Sequence, residues 1–370
     1  MSYRSQERVA TSDDDRDEAT ASDDTRSRHS VRTVGRHVGW PIVKRALILP
    51  PALFVVASLS FLLVSAVPSD PARTALGDSA SEQAVAEFNH RVGLDKPVWQ
   101  RYLEYLSQLF QGDLGRSYYS NQSVSQEMAR HVPPTVALVL LSVLVALVIG
   151  MIVGTVGAYS KRSGVKRAAN FWTSALQAIP DFALGLVLIY VLFSVLKIVP
   201  APIGQVGLSI GAYEGRTNIA ILDALLAGNW AGVSQAAAHL VLPVLTLGLV
   251  YSAYFSRVAL SLLEKAFRSP QVAFARACGL PERRVIAYAL LDVRAPTVTY
   301  LAILFGFLIG GEAVIETVFS WQGLGQWALE SLFKLDLPVI QGYILVSGGI
   351  VLVTYIALDV IAVVLDPRVR

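Results

Sequence analysis

Six apolar runs, each long enough to cross a bilayer, divide this sequence at positions 42–67, 134–159, 169–199, 240–263, 296–319 and 339–365. A hydrocarbon core about 30 Å thick takes about 20 helical residues. Backbone amides that leave water there must be satisfied inside the segment, which a helix does. The chain is therefore expected to be an all-α integral membrane protein with six transmembrane helices. Of its 370 residues, 54% are hydrophobic and 16% charged, which argues against a multidomain soluble protein of this length. A net charge of +3, with acids and bases segregated along the chain, excludes a nucleic-acid binder. Cys278 is the only cysteine, so no internal disulfide forms, and five scattered histidines offer no metal-ligand spacing.

Basic residues orient the spans. Arg36, Lys44 and Arg45, then Lys161, Arg162, Lys166 and Arg167, then Lys265, Arg268, Arg276, Arg283, Arg284 and Arg294, and finally Arg368 and Arg370 fall on alternate sides of successive runs. The loops after spans three and five hold only Arg216 and Lys334. The positive-inside rule then puts both termini in the cytoplasm. Residues 1–38, acids first and bases next to the membrane, carry too little apolar surface to offset ordering entropy and read as a disordered tail. Residues 39–67 hold the first span, 68–133 an extracytoplasmic cap and 134–370 a five-helix core. Within the cap, Val98, Tyr102, Tyr105, Leu106 and Leu109 recur at helical spacing. The turn GDLG at 112–115 lacks the Lys-Ser or Lys-Thr pair of a phosphate cradle, and the sequon at Asn121 is read as chance.

Inside the spans, Gly150 with Gly154 and Gly306 with Gly310 are spaced for close helix packing. Pro180 predicts a kink in the third span. Asp181 beside it, at membrane depth, is expected either to face a pathway or to bond the backbone freed by the kink. Glu312 and Glu316 are expected either to face the pathway or, the favoured reading, to reach the outer interface. No HExxH, GxSG or paired intramembrane aspartates occur, so no catalytic residue is assigned and the chain is not read as an enzyme. An ion-coupled secondary carrier, the alternative of a different class, would usually show inverted repeats and discontinuous ion-site helices, which are not found. A translocation subunit driven by a partner remains.

The polar interruption at 264–294 is where such a partner would dock. Ser269 followed by Pro270 is an N-cap with proline at the first helical position, Gly279 is the left-handed stop, and Pro281 starts another helix. Ala273, Ala275 and Ala277 are small, Phe274 is the one large apolar side chain and Arg276 a cation. A partner can approach closely there and bury one ring; an ordinary basic loop is the alternative reading. Cys278 reads as a small helix-packing residue.

The segment FARACGLPERRV at 274–285, with YALLDVRAP at 288–296, resembles the cytoplasmic coupling loop, the EAA loop, of ABC importer permeases. Four further stretches follow the same family's order: 91–118 (RVGLDKPVWQRYLEYLSQLFQGDLGRSY), 179–193 (IPDFALGLVLIYVLF), 316–342 (ETVFSWQGLGQWALESLFKLDLPVIQG) and 365–370 (LDPRVR). The chain is similar, from about residue 43 to its end, to permeases of the dipeptide/oligopeptide/nickel branch. The resemblance implies a type I ABC importer permease fold in a prokaryotic cell membrane. It also implies a homologous second permease subunit, two ATP-binding subunits carrying ATP and magnesium, and an extracytoplasmic solute-binding protein. No cofactor belongs to this chain itself. Ala273, Phe274, Ala275, Arg276, Ala277, Gly279, Leu280 and Pro281 would contact an ATP-binding subunit, Arg276 by pairing with it. The cap and the turn at 321–325 would receive the binding protein. The implied cargo is di- or oligopeptides, with nickel or a sugar-like solute as the alternatives. Three departures stand out. The glutamate for which the loop is named is Ala273, followed by Phe274 where a small residue is usual. The family's ETVFSWPGLG has Gln322 in place of proline, which is expected to loosen that turn.

Overall fold

The computed structural model describes residues 47–66, 70–77, 79–206 and 215–365; the expected tail at 1–38, the first residues of span one and the closing DPRVR lie outside these. From Leu49 onward the described chain is helical, with one isolated antiparallel bridge between Arg116 and Ser123. Helix α1 is Leu49–Ala66, and the cap holds α2 (Pro71–Leu76), α3 (Glu82–Val92) and α4 (Val98–Phe110). Then come α5 (Val124–Tyr159), α6 (Ser163–Ala178), α7 (Asp181–Leu188, prolonged by π-helical turns over Ile189–Val195), α8 (Ala220–Leu226) and α9 (Trp230–Phe267). The chain continues through α10 (Pro270–Ala277), α11 (Glu282–Asp292), α12 (Arg294–Gly311), α13 (Ala313–Val318), α14 (Leu324–Phe333) and α15 (Leu337–Leu365). Among the described residues, α1, α5, α9, α12 and α15 are each long and apolar enough to cross a membrane; α6 and α7, bent by 99° at their junction, make a sixth if they are one broken span.

Hydropathy located the spans but misjudged where the helices end. Helix α5 runs 36 residues from Val124, not from 134, straight through Pro133 and Pro134. Proline has no N–H for the carbonyl one turn earlier, and here the Asn218 side chain donates to Ala129 O at 3.1 Å in its place. Helix α9 starts at Trp230 and extends to Phe267, beyond the expected 240–263, because its flanking turns are polar but still helix-forming. The third span is a sharp break rather than a kink: Pro180, with ψ 138°, stands outside both helices as the N-cap of α7. The fifth, expected as one helix over 296–319, is interrupted at Glu312.

Helices α5 and α9 run side by side in the same direction and form the centre of the core, with α12 and α13 against them. Their seam is glycine-lined. A Cβ at Gly150 would lie 2.6 Å from a Phe255 ring carbon, one at Gly154 2.7 Å from Ala259 Cβ, and one at Gly248, across the seam, 2.5 Å from Val145 Cγ1. The two backbones approach to a distance that no larger residue permits. In the antiparallel pair α12–α15, a Cβ at Gly306 would lie 3.0 Å from Val351 Cγ1, whereas one at Gly310, whose carbonyl accepts from Tyr343 Oη at 3.3 Å, would meet nothing within 4 Å. At the cap end, Asp336 is buried just before α15 and accepts hydrogen bonds from Ser117 Oγ (2.6 Å) and Tyr118 N (3.1 Å), tying cap to core. Tyr102 and Tyr105 of α4 pack on Phe61 of α1, with ring centroids 5.3 and 5.5 Å apart.

Candidate functional site

Two places in the fold carry polar groups beyond what packing needs. The first is α10, at the end of α9 where the basic loops gather. Ser269 Oγ accepts from Val272 N at 3.4 Å and Pro270 opens the helix, as the N-cap pattern requires. At the other end Leu280 N bonds to Ala275 O (3.1 Å) and Gly279 N to Arg276 O (3.0 Å), with Gly279 at φ +68°. This is a Schellman stop, whose left-handed residue is nearly always glycine or asparagine. Leu280 then turns back onto the core, and Pro281 caps α11.

The helix is seated by Val272 and Ala275, 1% and 3% exposed, against a cluster that includes Leu263, Phe267, Val285 and Ala289. Ala275 therefore faces inward and is not part of an approach surface. Ala273, Arg276, Ala277 and Gly279 are exposed, and Phe274 stands 72% exposed at the crest. Cys278 is exposed as well, not a packing residue. Arg276 is already paired: its Nε lies 3.4 Å from Glu282 Oε1, while Tyr159 Oη donates to Glu282 Oε2 at 3.2 Å. The guanidinium thus braces α10 against α11 and the end of α5. Glu282, six positions on and beyond a turn, has no periodic relation to Arg276, and Tyr159 is distant in sequence, so no local pattern marks this brace.

The second place is where α12, α13 and α14 meet α5 and α9. Neither acid there reaches an outer interface: Glu312 is 4% exposed and Glu316 fully buried. Glu316 Oε1 accepts a short hydrogen bond from Thr135 Oγ1, its Oε2 accepts from Gln326 N at 2.8 Å, and Thr135 Oγ1 itself accepts from Leu324 N at 2.7 Å. A side chain at Gly323 would collide with both Glu316 and Thr135. Trp321 is buried too, donating from Nε1 to Pro134 O at 3.1 Å, so its ring is not open to a docking protein. Nor is the turn loosened at Gln322, whose N–H donates to Gln326 Oε1 (2.9 Å) and whose carbonyl lies 2.8 Å from His131 Nδ1.

Glu312 differs from Glu316. Tyr251 Oη donates to its Oε1 at 2.8 Å, but its Oε2 is buried with no hydrogen-bond partner. Asp181, freed by the break at Pro180, lies within electrostatic reach of both Tyr251 and Glu312 and spends Oδ1 on the adjacent Phe182 N at 2.7 Å. Spare acceptor capacity in an apolar setting is costly unless something fills it. Among the described residues no group of His, Cys, Asp and Glu side chains is arranged to hold a metal.

The described residues thus offer a helix capped at both ends with an exposed ring at one end, and incompletely bonded acids beside a broken span. Residues 146–370 match the family described as the binding-protein-dependent transport system inner membrane component, and residues 41–139 match its N-terminal counterpart. The di/tripeptide transport system permease protein of Pseudomonas aeruginosa is 33% identical over 331 residues, 89% of this chain and 98% of that protein. A probable D,D-dipeptide transport system permease protein of Escherichia coli is 31% identical over 85% of this chain and 92% of its own length. The glutathione transport system permease protein of Escherichia coli is 32% identical over 89% and 98%. With more than half of its length matched and relatives covered almost end to end, this chain belongs to the binding-protein-dependent inner membrane components, the membrane-spanning permease subunits of ABC transporters, which are not themselves enzymes.

Proposed function

We propose that this chain forms one half of the membrane pathway of an ATP-driven importer for di- or oligopeptides. In this reading six spans, α6 and α7 counting as one, leave both termini and α10 in the cytoplasm and the cap outside. A homologous permease supplies the other half, two ATP-binding subunits supply the energy, and a binding protein delivers solute to the cap. The peptide cargo follows from the relatives, whose names are those of dipeptide, di/tripeptide and glutathione permeases; nothing in them points to nickel, a sugar or an ion-coupled carrier. The observation that carries the mechanism is Phe274, a large aromatic ring held 72% exposed on a helix capped at both ends and braced through Arg276. In a groove of an ATP-binding subunit that ring is an anchor, and Ala273 and Ala277 let the partner close in. Because α10 is packed on α9 and α11 through Val272 and Ala275, a pull on it moves the core rather than a loop.

Asp181 and Glu312 line the pathway in this proposal. Their uncommitted oxygens suit the ammonium group of a peptide, which a low-dielectric site binds strongly only when paired. Co-purification from the native membrane, followed by reconstitution with the ATPases and the binding protein, tests the whole reading. Two ATP-binding subunits should accompany the tagged chain, and labelled dipeptide should enter vesicles only with ATP and binding protein. Glu312→Gln is expected to cut uptake about tenfold or more, the loss of one charge-assisted contact, without releasing the ATPases. A chain that purifies alone and moves solute on an ion gradient overturns the reading; unchanged uptake in Glu312→Gln removes the acidic pair from it.

A further inference from the structure

We propose that the cavity beneath the cap binds the headgroup of an anionic phospholipid from the leaflet on the cap side, with the acyl chains lying along the outer face of α4. The cavity is about 600 Å³, floored by Phe61 of α1 and walled by Arg91, Arg101, Arg116 and Tyr105. Among the described residues none of the three arginines has an ion pair. Glu104, the one acid on the wall, is held by Lys96 at 2.7 Å, and Asp70 nearby is paired with Arg73. Asp336, behind the wall, is committed to Ser117 and Tyr118. Two of the guanidiniums are positioned all the same: Arg91 lies over the Phe88 ring at 5.4 Å and Arg116 donates to Asn121 O at 3.2 Å. The Tyr105 hydroxyl is buried without a partner. Three uncompensated guanidiniums around one hollow call for an anion, and a phosphodiester accepts their paired N–H groups well.

Depth decides for a lipid over a soluble anion. Arg101 also borders a second hollow with Val64 and Ser65, in the last turn of the apolar span α1. The guanidinium therefore stands at the level where that span leaves the hydrocarbon, which is the level of phosphates. Tyr102, on the same helix, shares a 2.7 Å hydrogen bond with Ser58, about 10 Å deeper along α1 at 1.5 Å per residue. Helix α4 thus lies beside the buried part of a spanning helix. The face it turns away carries Trp99, Leu103 and Phe110, 62%, 56% and 83% exposed. A tryptophan and two apolar side chains at that depth meet acyl chains.

Native mass spectrometry of the full-length chain, purified with its accompanying subunits, tests this with phosphatidylglycerol, phosphatidylcholine and inorganic phosphate as probes. Phosphatidylglycerol should be retained in preference to phosphatidylcholine, and inorganic phosphate should not displace it. The double variant Arg91→Gln/Arg101→Gln should hold it roughly 30-fold less tightly, the attraction of two cations to an anionic headgroup. A second readout does not depend on that variant folding. Emission of Trp99, taken as the difference from Trp99→Phe, should be quenched by brominated phosphatidylglycerol. Equal retention of both lipids, displacement by phosphate, or an unquenched Trp99 overturns the proposal.

Discussion

Replacing Gln322 by proline is expected to destabilise the protein by about 3 kcal/mol or more, although proline is the residue that the motif's resemblance implies at this position. Gln322 sits at φ +58°, in the left-handed region, and its N–H is spent on Gln326 Oε1 at 2.9 Å. Proline locks φ near −65° and has no N–H, so it contradicts both features at once. The displaced turn would drag the carbonyl away from His131, whose ring stacks on Trp327 at 5.2 Å, and would disturb buried Trp321 and the crowded Gly323. Gln322→Gly, which accepts positive φ freely, should cost less than about 1 kcal/mol. Thermal unfolding of the two variants in detergent reads the contrast; a proline variant as stable as the glycine one contradicts the left-handed turn.

Phe274→Ala should do the opposite: leave the chain as stable as before and disable the complex. The ring is 72% exposed, so unfolding should shift by no more than about 0.5 kcal/mol, as for other surface changes. Lost from a groove in a partner, an aromatic anchor costs about 2 kcal/mol or more, which is roughly 30-fold in affinity. Val272→Ala, two residues earlier on the opposite face of α10 and 1% exposed, is the control with reversed outcome, lowering stability through a core cavity. Measuring unfolding and ATPase association on both variants separates docking from folding. Loss of stability in Phe274→Ala, or undiminished association, contradicts the assignment.

These predictions show what local sequence reveals and where it stops. Ser269, Pro270 and Gly279 announce the ends of α10 because capping depends on residues within one turn. The apolar runs announce the spans because bilayer thickness sets their length. Which face of α10 is buried was not legible: valine, alanine and phenylalanine are all apolar, and the largest of them points outward. Arg276 looked free because Glu282 and Tyr159 reach it only through the fold. Proline marked the break at 180 but not the continuity at 133, where Asn218, far along the chain, replaces the missing donor. Glu316 read as an interfacial acid because its partners Thr135 and Gln326 lie on other helices. The same holds for Gln322, whose conformation is set by His131 and Gln326 rather than by its neighbours in the motif.

The central claim, that α10 is the seat of an ATP-binding subunit, can be read directly at Cys278. It is the chain's only cysteine, exposed, and placed at the C-cap of α10. The rate of maleimide labelling is to be compared between the chain alone and the assembled transporter, with and without the binding protein. The account predicts rapid labelling of the chain alone and at least about tenfold protection once the ATP-binding subunits are present, unaffected by the binding protein. Equal rates in the two states, or protection that follows the binding protein instead, would contradict it.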